Sequence, residues 1–342
     1  MAEVAQILQR YHLDSAHFKV ERIGSGHIHA TYKLTGPRSY VLQRVNKNVF
    51  TQPELIASNL RRAADYLKWN SPDYLFPTVI PSAGGKEMEY DEEGFPWRLF
   101  PYIDNTITID SVSSADQATQ AAMAFGRLSR LLDKADVSSF HPTIPRFHDL
   151  ALRKVQFEEA LTGAGDRAQP AAQAIESAKR FFPLVDEYEA LIRSGSLKER
   201  IVHNDTKINN VLFDRTTGKT VAVIDLDTLM PGYFIYDLGD MVRTFVCPVS
   251  EEEQDFSRIA FRKEIYEALV EGYLSEMGPV MTEGEKASLS FAGRMMTYIM
   301  ALRFLADYLR GNTYYHITYP EQNLVRAGNQ LRLLEILSEN LG

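Results

Sequence analysis

Residues 201–227, IVHNDTKINNVLFDRTTGKTVAVIDLD, break into a stretch that otherwise carries helical patterning from about residue 114 onward. Within this segment NVLF and TVAVIDL flank the turn Thr216-Thr217-Gly218-Lys219, which predicts a β-hairpin. A hairpin returns the chain on itself, so Asp225 at the end of its second strand comes back beside Asn210 at the start of its first. Asp205 and Asn210 lie on the loop that leads into the hairpin. Oxygen donors grouped in this way suit Mg²⁺, a hard cation that takes few protein ligands and keeps its other positions for water and phosphate oxygens. Asp205 is then left to accept a proton from a substrate hydroxyl. Turn formation explains any one of these Asp or Asn residues. It does not explain His-x-Asp-x₄-Asn followed by a strand that ends in Ile-Asp.

The region before residue 103 reads differently. FKVERIGS, HATYKLT and SYVLQRV have strand composition, with the turn Gly36-Pro37 between the second and third. A helix is predicted over 53–69, opened by Pro53. KEMEYD and PWRLFPYI follow as further strands. Beyond Ser114 the periodicity predicts helices starting near 114 and at 149–162, 171–193, 261–276, 283–310 and 320–340. The expected division is 1–103 and 104–342.

A length of 342 residues with 45% hydrophobic and 24% charged residues fits a soluble chain of about two domains. The net charge of −8 argues against a nucleic-acid binder, which carries a basic stripe, but leaves room for a local phosphate site. Cys247 is the single cysteine, so neither an intrachain disulfide nor a multi-cysteine zinc site is available. The first residues lack the apolar core of a signal peptide, and the apolar stretch 295–305 is too short for a bilayer and contains Arg303. The expectation is a soluble, cytoplasmic protein with no membrane partner.

The sequence resembles the aminoglycoside phosphotransferase and choline kinase class, relatives of protein kinases, and within it the bacterial N-acetylhexosamine 1-kinases. The resemblance covers nearly the whole chain. It is carried by IGSGHIHATYKL, YVLQRVN, WRLFPYID, HNDTKINNVLFD, VIDLDTLMPG, YDLGDMVR and RFLADYLRGNTYY with the following YPEQNLVR. It implies an α+β, protein-kinase-like two-lobed fold, with a small β-rich N-terminal lobe and a larger, mainly helical C-terminal lobe. It also implies ATP with Mg²⁺ as phosphoryl donor and a small-molecule sugar as acceptor. The implied reaction is phosphorylation of the anomeric hydroxyl of an N-acetylhexosamine. The rivals are a kinase of another sugar, an amino alcohol or an aminoglycoside, or a non-catalytic nucleotide-binding pseudokinase.

Carried over motif by motif, Asp205 matches the catalytic base, and Asn210 and Asp225 match the metal ligands. Asp227 is either a carboxylate behind the metal or a cap of the following turn. His203 is expected to orient backbone, and Asp237 and Asp240 to cap a helix, with Asp237 also able to brace the catalytic loop. Gly24, Ser25 and Gly26 match the loop that covers the triphosphate, where glycine lets backbone approach phosphate closely. His27 beside them faces either phosphate or sugar. Phe100 and Tyr102 belong to the expected hinge over 100–103, whose backbone meets the adenine edge.

Protein kinases carry a phosphate-binding Lys on the third strand. Here Gln43 holds that inward position, while Arg44 is expected on the opposite face and Glu54 lies close to the start of its helix. Either the cation is missing or another group supplies it. On the acceptor side Arg303 and Tyr314 match sugar-contacting positions, joined by His27 and Asp205. Tyr308, Asn312 and Tyr315 are candidate wall residues. The plain alternative for Arg303 is an i,i+4 salt bridge to Asp307, with Arg310 three residues further on. The aromatics of GNTYYHITY suit either sugar stacking or core packing.

Overall fold

The structure is a computed structural model that describes residues 2–24 and 29–342. The triphosphate-loop candidates Ser25, Gly26 and His27 lie outside the described residues. The chain divides into two compact units. The first comprises residues 1–107, 138–145 and 212–230, and the second comprises 108–137, 146–211 and 231–342.

The first unit opens with helix α1 (Ala2–Gln9) and strands β1 (Lys19–Ile23), β2 (Ala30–Thr35) and β3 (Tyr40–Arg44). Helix α2 (Pro53–Asn70), β4 (Glu89–Tyr90), β5 (Pro96–Pro101) and β6 (Thr106–Ile107) follow. The five-stranded sheet has the order β1-β2-β3-β5-β4 and is antiparallel throughout. One face carries Leu34, Leu42, Trp97 and Leu99, and these pack with Val4, Ile7, Leu8 and Tyr11. The spacing of those last four puts them on one helical stripe, so α1 is an amphipathic helix that closes the core. Alternation along the strands leaves Gln43 on β3 and Arg98 on β5 on the opposite face, directly paired in register.

The segments 138–145 and 212–230 join this unit through buried polar groups. Asn59 of α2 donates to the carbonyls of His141 (2.7 Å) and Leu229 (3.0 Å) and accepts the His141 N–H (2.9 Å). The Thr143 hydroxyl donates to the Asp227 carbonyl at 2.7 Å. The hairpin β8 (Val211–Asp214) and β9 (Thr220–Val223) forms as predicted and extends to β6 as a three-stranded sheet, β6-β8-β9. The Asp214 carboxylate accepts the N–H groups of Thr216 (2.9 Å) and Thr217 (2.7 Å), which shapes the turn.

The second unit holds α3 (Ala115–Leu131), α4 (Leu150–Thr162), α5 (Ala172–Arg180), α6 (Pro183–Arg193) and α7 (Phe234–Phe245). It continues with α8 (Lys263–Met277), α9 (Glu283–Ala287), α10 (Leu289–Leu309) and α11 (Gln322–Leu341). The short strands β7 (Arg200–Val202) and β10 (Met230–Gly232) pair with each other. Two helices predicted as continuous are broken. Pro183, which has no N–H to continue α5, opens α6 instead. Ser288 turns its hydroxyl onto the Glu285 carbonyl at 3.0 Å and separates α9 from α10. Helices α7 and α10 touch through glycine: a Cβ on Gly239 would collide with the Ala292 carbonyl, and one on Gly293 with the Val242 side chain. That approach buries α7 almost completely, including Asp237 and Asp240.

Candidate active site

Two groups of functional side chains are built, one within each unit. In the second unit the chain leaves β7 through His203 and Asn204 into a single 3₁₀ turn over Ile208–Asn210. Asn204 has φ of 66°, in the left-handed region that Asn tolerates better than most residues. Asp237 holds this bend. Its carboxylate accepts the N–H groups of His203 (3.0 Å) and Asn204 (2.7 Å), and its main-chain carbonyl accepts the Thr206 hydroxyl (2.7 Å). Asp237 lies inside α7, whose N-cap is Tyr233, so of the two roles expected for it the cap is not formed and the bracing of the loop is. Burial pushes its carboxyl pKa up, against the pull of His203 and the two N–H groups. Asp240 does not cap the helix either; it pairs with Arg243 at 2.8 Å.

His203 is buried, and its Nδ1 accepts the Asp205 N–H at 3.2 Å, the backbone-orienting role expected of it. Asp205 faces Lys207 (3.2 Å), and the Asn210 amide donates to both its carboxylate (3.1 Å) and its carbonyl (2.8 Å). Burial opposes the Asp205 charge, but Lys207, His203 and Asn210 outweigh it and hold the carboxyl below the usual range. Asp205 is therefore an anion at neutral pH, able to accept a proton. With both amide donations spent on Asp205, the Asn210 Oδ1 keeps its lone pairs for a cation.

Arg303 on α10 stands in an aromatic surround. Its guanidinium lies 5.2 Å from the Phe147 ring, 5.8 Å from Tyr314 and 5.5 Å from Tyr315. Its one hydrogen-bond partner among the described residues is the Met300 sulfur at 3.6 Å. The i,i+4 bridge to Asp307 does not form. Asp307 instead accepts the main-chain N–H groups of Thr313 (2.9 Å), Tyr314 (2.8 Å) and Tyr315 (3.0 Å), and the Asn323 amide (2.9 Å). Tyr314 remains 59% exposed, whereas Tyr308 is buried. The Asn312 amide donates to the Pro320 carbonyl, and Arg310 pairs with Glu159 at 3.4 Å.

A second guanidinium, Arg153 on α4, has its pKa brought down to about 10 by burial and then by Arg303. Its Nη atoms bond Gln156 (2.7 Å) and the carbonyls of Phe147 (2.6 Å) and Arg146 (3.2 Å), and its Nε has no partner among the described residues. This cluster reaches the candidate catalytic loop through His148, which packs on Phe147 and bonds the Asn204 carbonyl at 2.8 Å.

In the first unit, Asp225 follows β9 with φ of 57°, in the left-handed region, and Asp227 is buried two residues later. His29, Asp225 and Asp227 bring their donor atoms within 4.8 Å of one another. Both His29 nitrogens are already committed: Nδ1 accepts the Asn46 N–H at 3.0 Å, so Nε2 carries the proton and donates to Asp227 at 2.8 Å. The atoms left for a cation are carboxylate oxygens, which fit a hard divalent ion and not a soft one. Asp227 also meets Arg98 at 2.5 Å, and this pair together with His29 holds its carboxyl well below the usual range despite burial.

Gln43 donates to the Thr31 hydroxyl (3.1 Å), which turns its amide oxygen toward Arg98; the Arg98 Nε reaches it at 2.9 Å. Arg44 points to the other face, to Asp91 (2.9 Å) and Glu93 (2.6 Å), as alternation requires. Glu54 accepts the Tyr90 hydroxyl at 2.5 Å. Gly24, at the edge of the described loop, has φ of 84°. In the hinge segment the Phe100 ring lies 5.2 Å from Arg98, and the Tyr102 N–H is taken by the Ser39 carbonyl at 3.1 Å. Pro101 has no N–H, so Ile103 offers the first main-chain donor that is unpaired among the described residues.

Arg98, His29 and Lys207 join these groups in the structure without being candidates from the sequence. Lys207 was legible, a cation two residues from the candidate base. Arg98 and His29 acquire their meaning through cross-strand and loop contacts that no local spacing encodes.

The sheet of the first unit and the helices of the second define an α+β, two-lobed kinase-like fold. Residues 19–281 match the APH phosphotransferase enzyme family, and the chain belongs to it. Solved structures share the fold. A microcompartment-associated aminopropanol kinase is 19% identical, with 99% of this chain and 98% of that one covered and a TM-score of 0.63. A spectinomycin phosphotransferase bound to ADP and spectinomycin is 13% identical, with coverage of 99% and 98% and a TM-score of 0.62. An amicoumacin kinase in complex with AMP-PNP and Ca²⁺ is 16% identical, with coverage of 98% and 92% and a TM-score of 0.61.

Among the described residues no helix is long and apolar enough to cross a membrane.

Proposed function

We propose that this phosphotransferase transfers the γ-phosphoryl group of ATP to the anomeric hydroxyl of an N-acetylhexosamine, GlcNAc or GalNAc. Asp205 is the base that orients the acceptor hydroxyl and takes its proton. Its ionised state, held by Lys207 and Asn210, supports that role. Asn210 and Asp225 are the oxygen donors for Mg²⁺, which when bound neutralises charge on the phosphate oxygens. The Ile103 N–H is the hinge donor for the adenine edge.

The acceptor class rests on one observation: Arg303 has no carboxylate partner among the described residues, and it stands close enough to Arg153 to add to the lowering of the Arg153 pKa. Two guanidinium groups disfavour an ammonium-bearing acceptor. A neutral, polyhydroxylated one supplies oxygen acceptors for Arg303 and a ring for Tyr314 or Tyr315 to stack on. Two acids of this unit are occupied elsewhere, Asp307 with main-chain N–H groups and Glu251 with Arg243 (2.7 Å).

The test is ATP consumption over a panel of hexosamines, hexoses, choline, aminopropanol and aminoglycosides, with ³¹P NMR of the product. Turnover with GlcNAc or GalNAc and a phosphate on the anomeric carbon is expected. A 6-phosphate product, or preference for an amine-bearing acceptor, overturns the acceptor assignment. Nucleotide binding with no transfer to any acceptor identifies a pseudokinase.

A further inference from the structure

The third strand carries Gln43 where a phosphate-binding cation is ordinarily found, and the structure places a different cation beside it. Arg98 is paired with Gln43 in register on the neighbouring strand, on the same face of the sheet, and is 2% exposed. Its Nε and Nη2 bond the Gln43 amide oxygen, and Nη2 also meets Asp227. Its Nη1 has no partner among the described residues, although it is fully buried. An orphaned guanidinium nitrogen is costly in a folded interior and calls for an anionic oxygen. Asp227, the group that positions Arg98, is two residues from Asp225 and shares a cluster with it. The free N–H groups therefore stand one side chain away from the carboxylate proposed to hold the metal on the triphosphate.

We propose that Arg98 is the phosphate-anchoring cation of the nucleotide site, supplied across the strand pair from β5 in place of the absent strand-three Lys. This rests on the ATP-binding reading above. Gln43 acts as the orienting group: with its NH₂ fixed on Thr31, its oxygen holds the Arg98 fork so that Nη1 is presented to a phosphate oxygen. The contact is specific to the phosphates and adds nothing for the nucleoside.

The experiment compares the affinities of ADP and adenosine by titration calorimetry, both in EDTA so that no divalent ion contributes. The proteins are the wild type, Arg98→Met and Arg98→Met/Asp227→Asn. The double variant removes both charges of the buried pair, which preserves folding better than leaving one unpaired. Loss of one charge-assisted contact predicts ADP binding weaker by roughly 10- to 100-fold in both variants, with adenosine affinity within about twofold of wild type. Equal losses for ADP and adenosine, or recovery of ADP affinity in the double variant, overturn the proposal and leave Arg98 as a structural partner of Asp227. A wild-type protein that binds neither ligand overturns the nucleotide reading itself and the proposal with it, a result distinct from any failure confined to the variants.

Discussion

Asp237 is the residue whose replacement most directly tests how the proposed catalytic loop is held. Two main-chain N–H groups converge on its carboxylate at 3.0 and 2.7 Å, with the Ser129 hydroxyl at 3.3 Å. Bonds of N–H to a charged acceptor contribute about 1.5–3 kcal/mol each, so the two together hold about 3–6 kcal/mol. In Asp237→Asn one oxygen remains for one donor, a neutral bond of about 1 kcal/mol, while the new NH₂ is turned against the other. Relief of the buried charge, whose cost is visible as a raised pKa, returns part of the loss. The expected net destabilisation is about 2–4 kcal/mol, a fall in Tm of roughly 3–6 °C for a chain of this size. Asp205 lies one residue beyond the second donor, so its displacement should lower kcat by roughly 10- to 100-fold with a smaller change in the KM for ATP. Thermal melts and steady-state kinetics on the same preparation measure both. A Tm within about 2 °C of wild type together with kcat within about twofold would refute the bracing role.

Asp205→Asn should lower kcat by ~10²–10⁴ while leaving the melting curve almost unchanged, since its side chain is partly exposed; near wild-type turnover would remove it as the base. Arg303→Met should raise the acceptor KM by roughly 10- to 100-fold and leave the KM for ATP within about twofold, and equal effects on both substrates would argue against an acceptor contact. His148, facing Arg303, Arg153 and Asp205, has its pKa brought down to about 3 by burial, against an ordinary value of 6.5. Below pH 6.5 the unfolded chain takes up a proton there that the folded chain refuses, so His148 weakens folding as pH falls from 6.5 toward 3. The slope is at most about 1.4 kcal/mol per pH unit. Urea midpoints between pH 7 and 4.5 should fall less steeply for His148→Gln than for wild type, and identical slopes would contradict the buried neutral imidazole.

The division into a sheet-rich and a helix-rich part was legible because the two periodicities differ, and the hairpin was legible from its turn. Helix α1 was equally available, with Val4, Ile7, Leu8 and Tyr11 on one stripe, but its shortness kept it below notice beside stronger strands. The proximity of Asp205 and Asn210 was readable because the two are close in sequence as well as in space. Arg98 was not, since its pairing with Gln43 spans 55 residues and depends on which strand neighbours which. For Asp237 and Asp307 the local devices, a helix cap and an i,i+4 bridge, do not form; each collects main-chain N–H groups from a bend elsewhere, a role foreseen for Asp237 and not for Asp307. A carboxylate that serves backbone leaves no mark on the identity of the residues it serves.

That arrangement at Asp307 separates shape from identity in the loop after α10. The acid grips Thr313, Tyr314 and Tyr315 by their amides, and Gly311 and Asn312 make the reversal with φ of 92° and 61°. Apart from the Thr313 hydroxyl, which also reaches the acid at 3.3 Å, the grip is on main chain and not on side chains. The loop works as a tool holder for Tyr314, which is exposed and can be exchanged for another side chain while the backbone keeps its course, whereas Tyr315 is tied into packing against Phe304. If Tyr314 meets the acceptor as proposed, acceptor preference can drift by point substitution there, with no insertion, deletion or refolding of the segment that carries it.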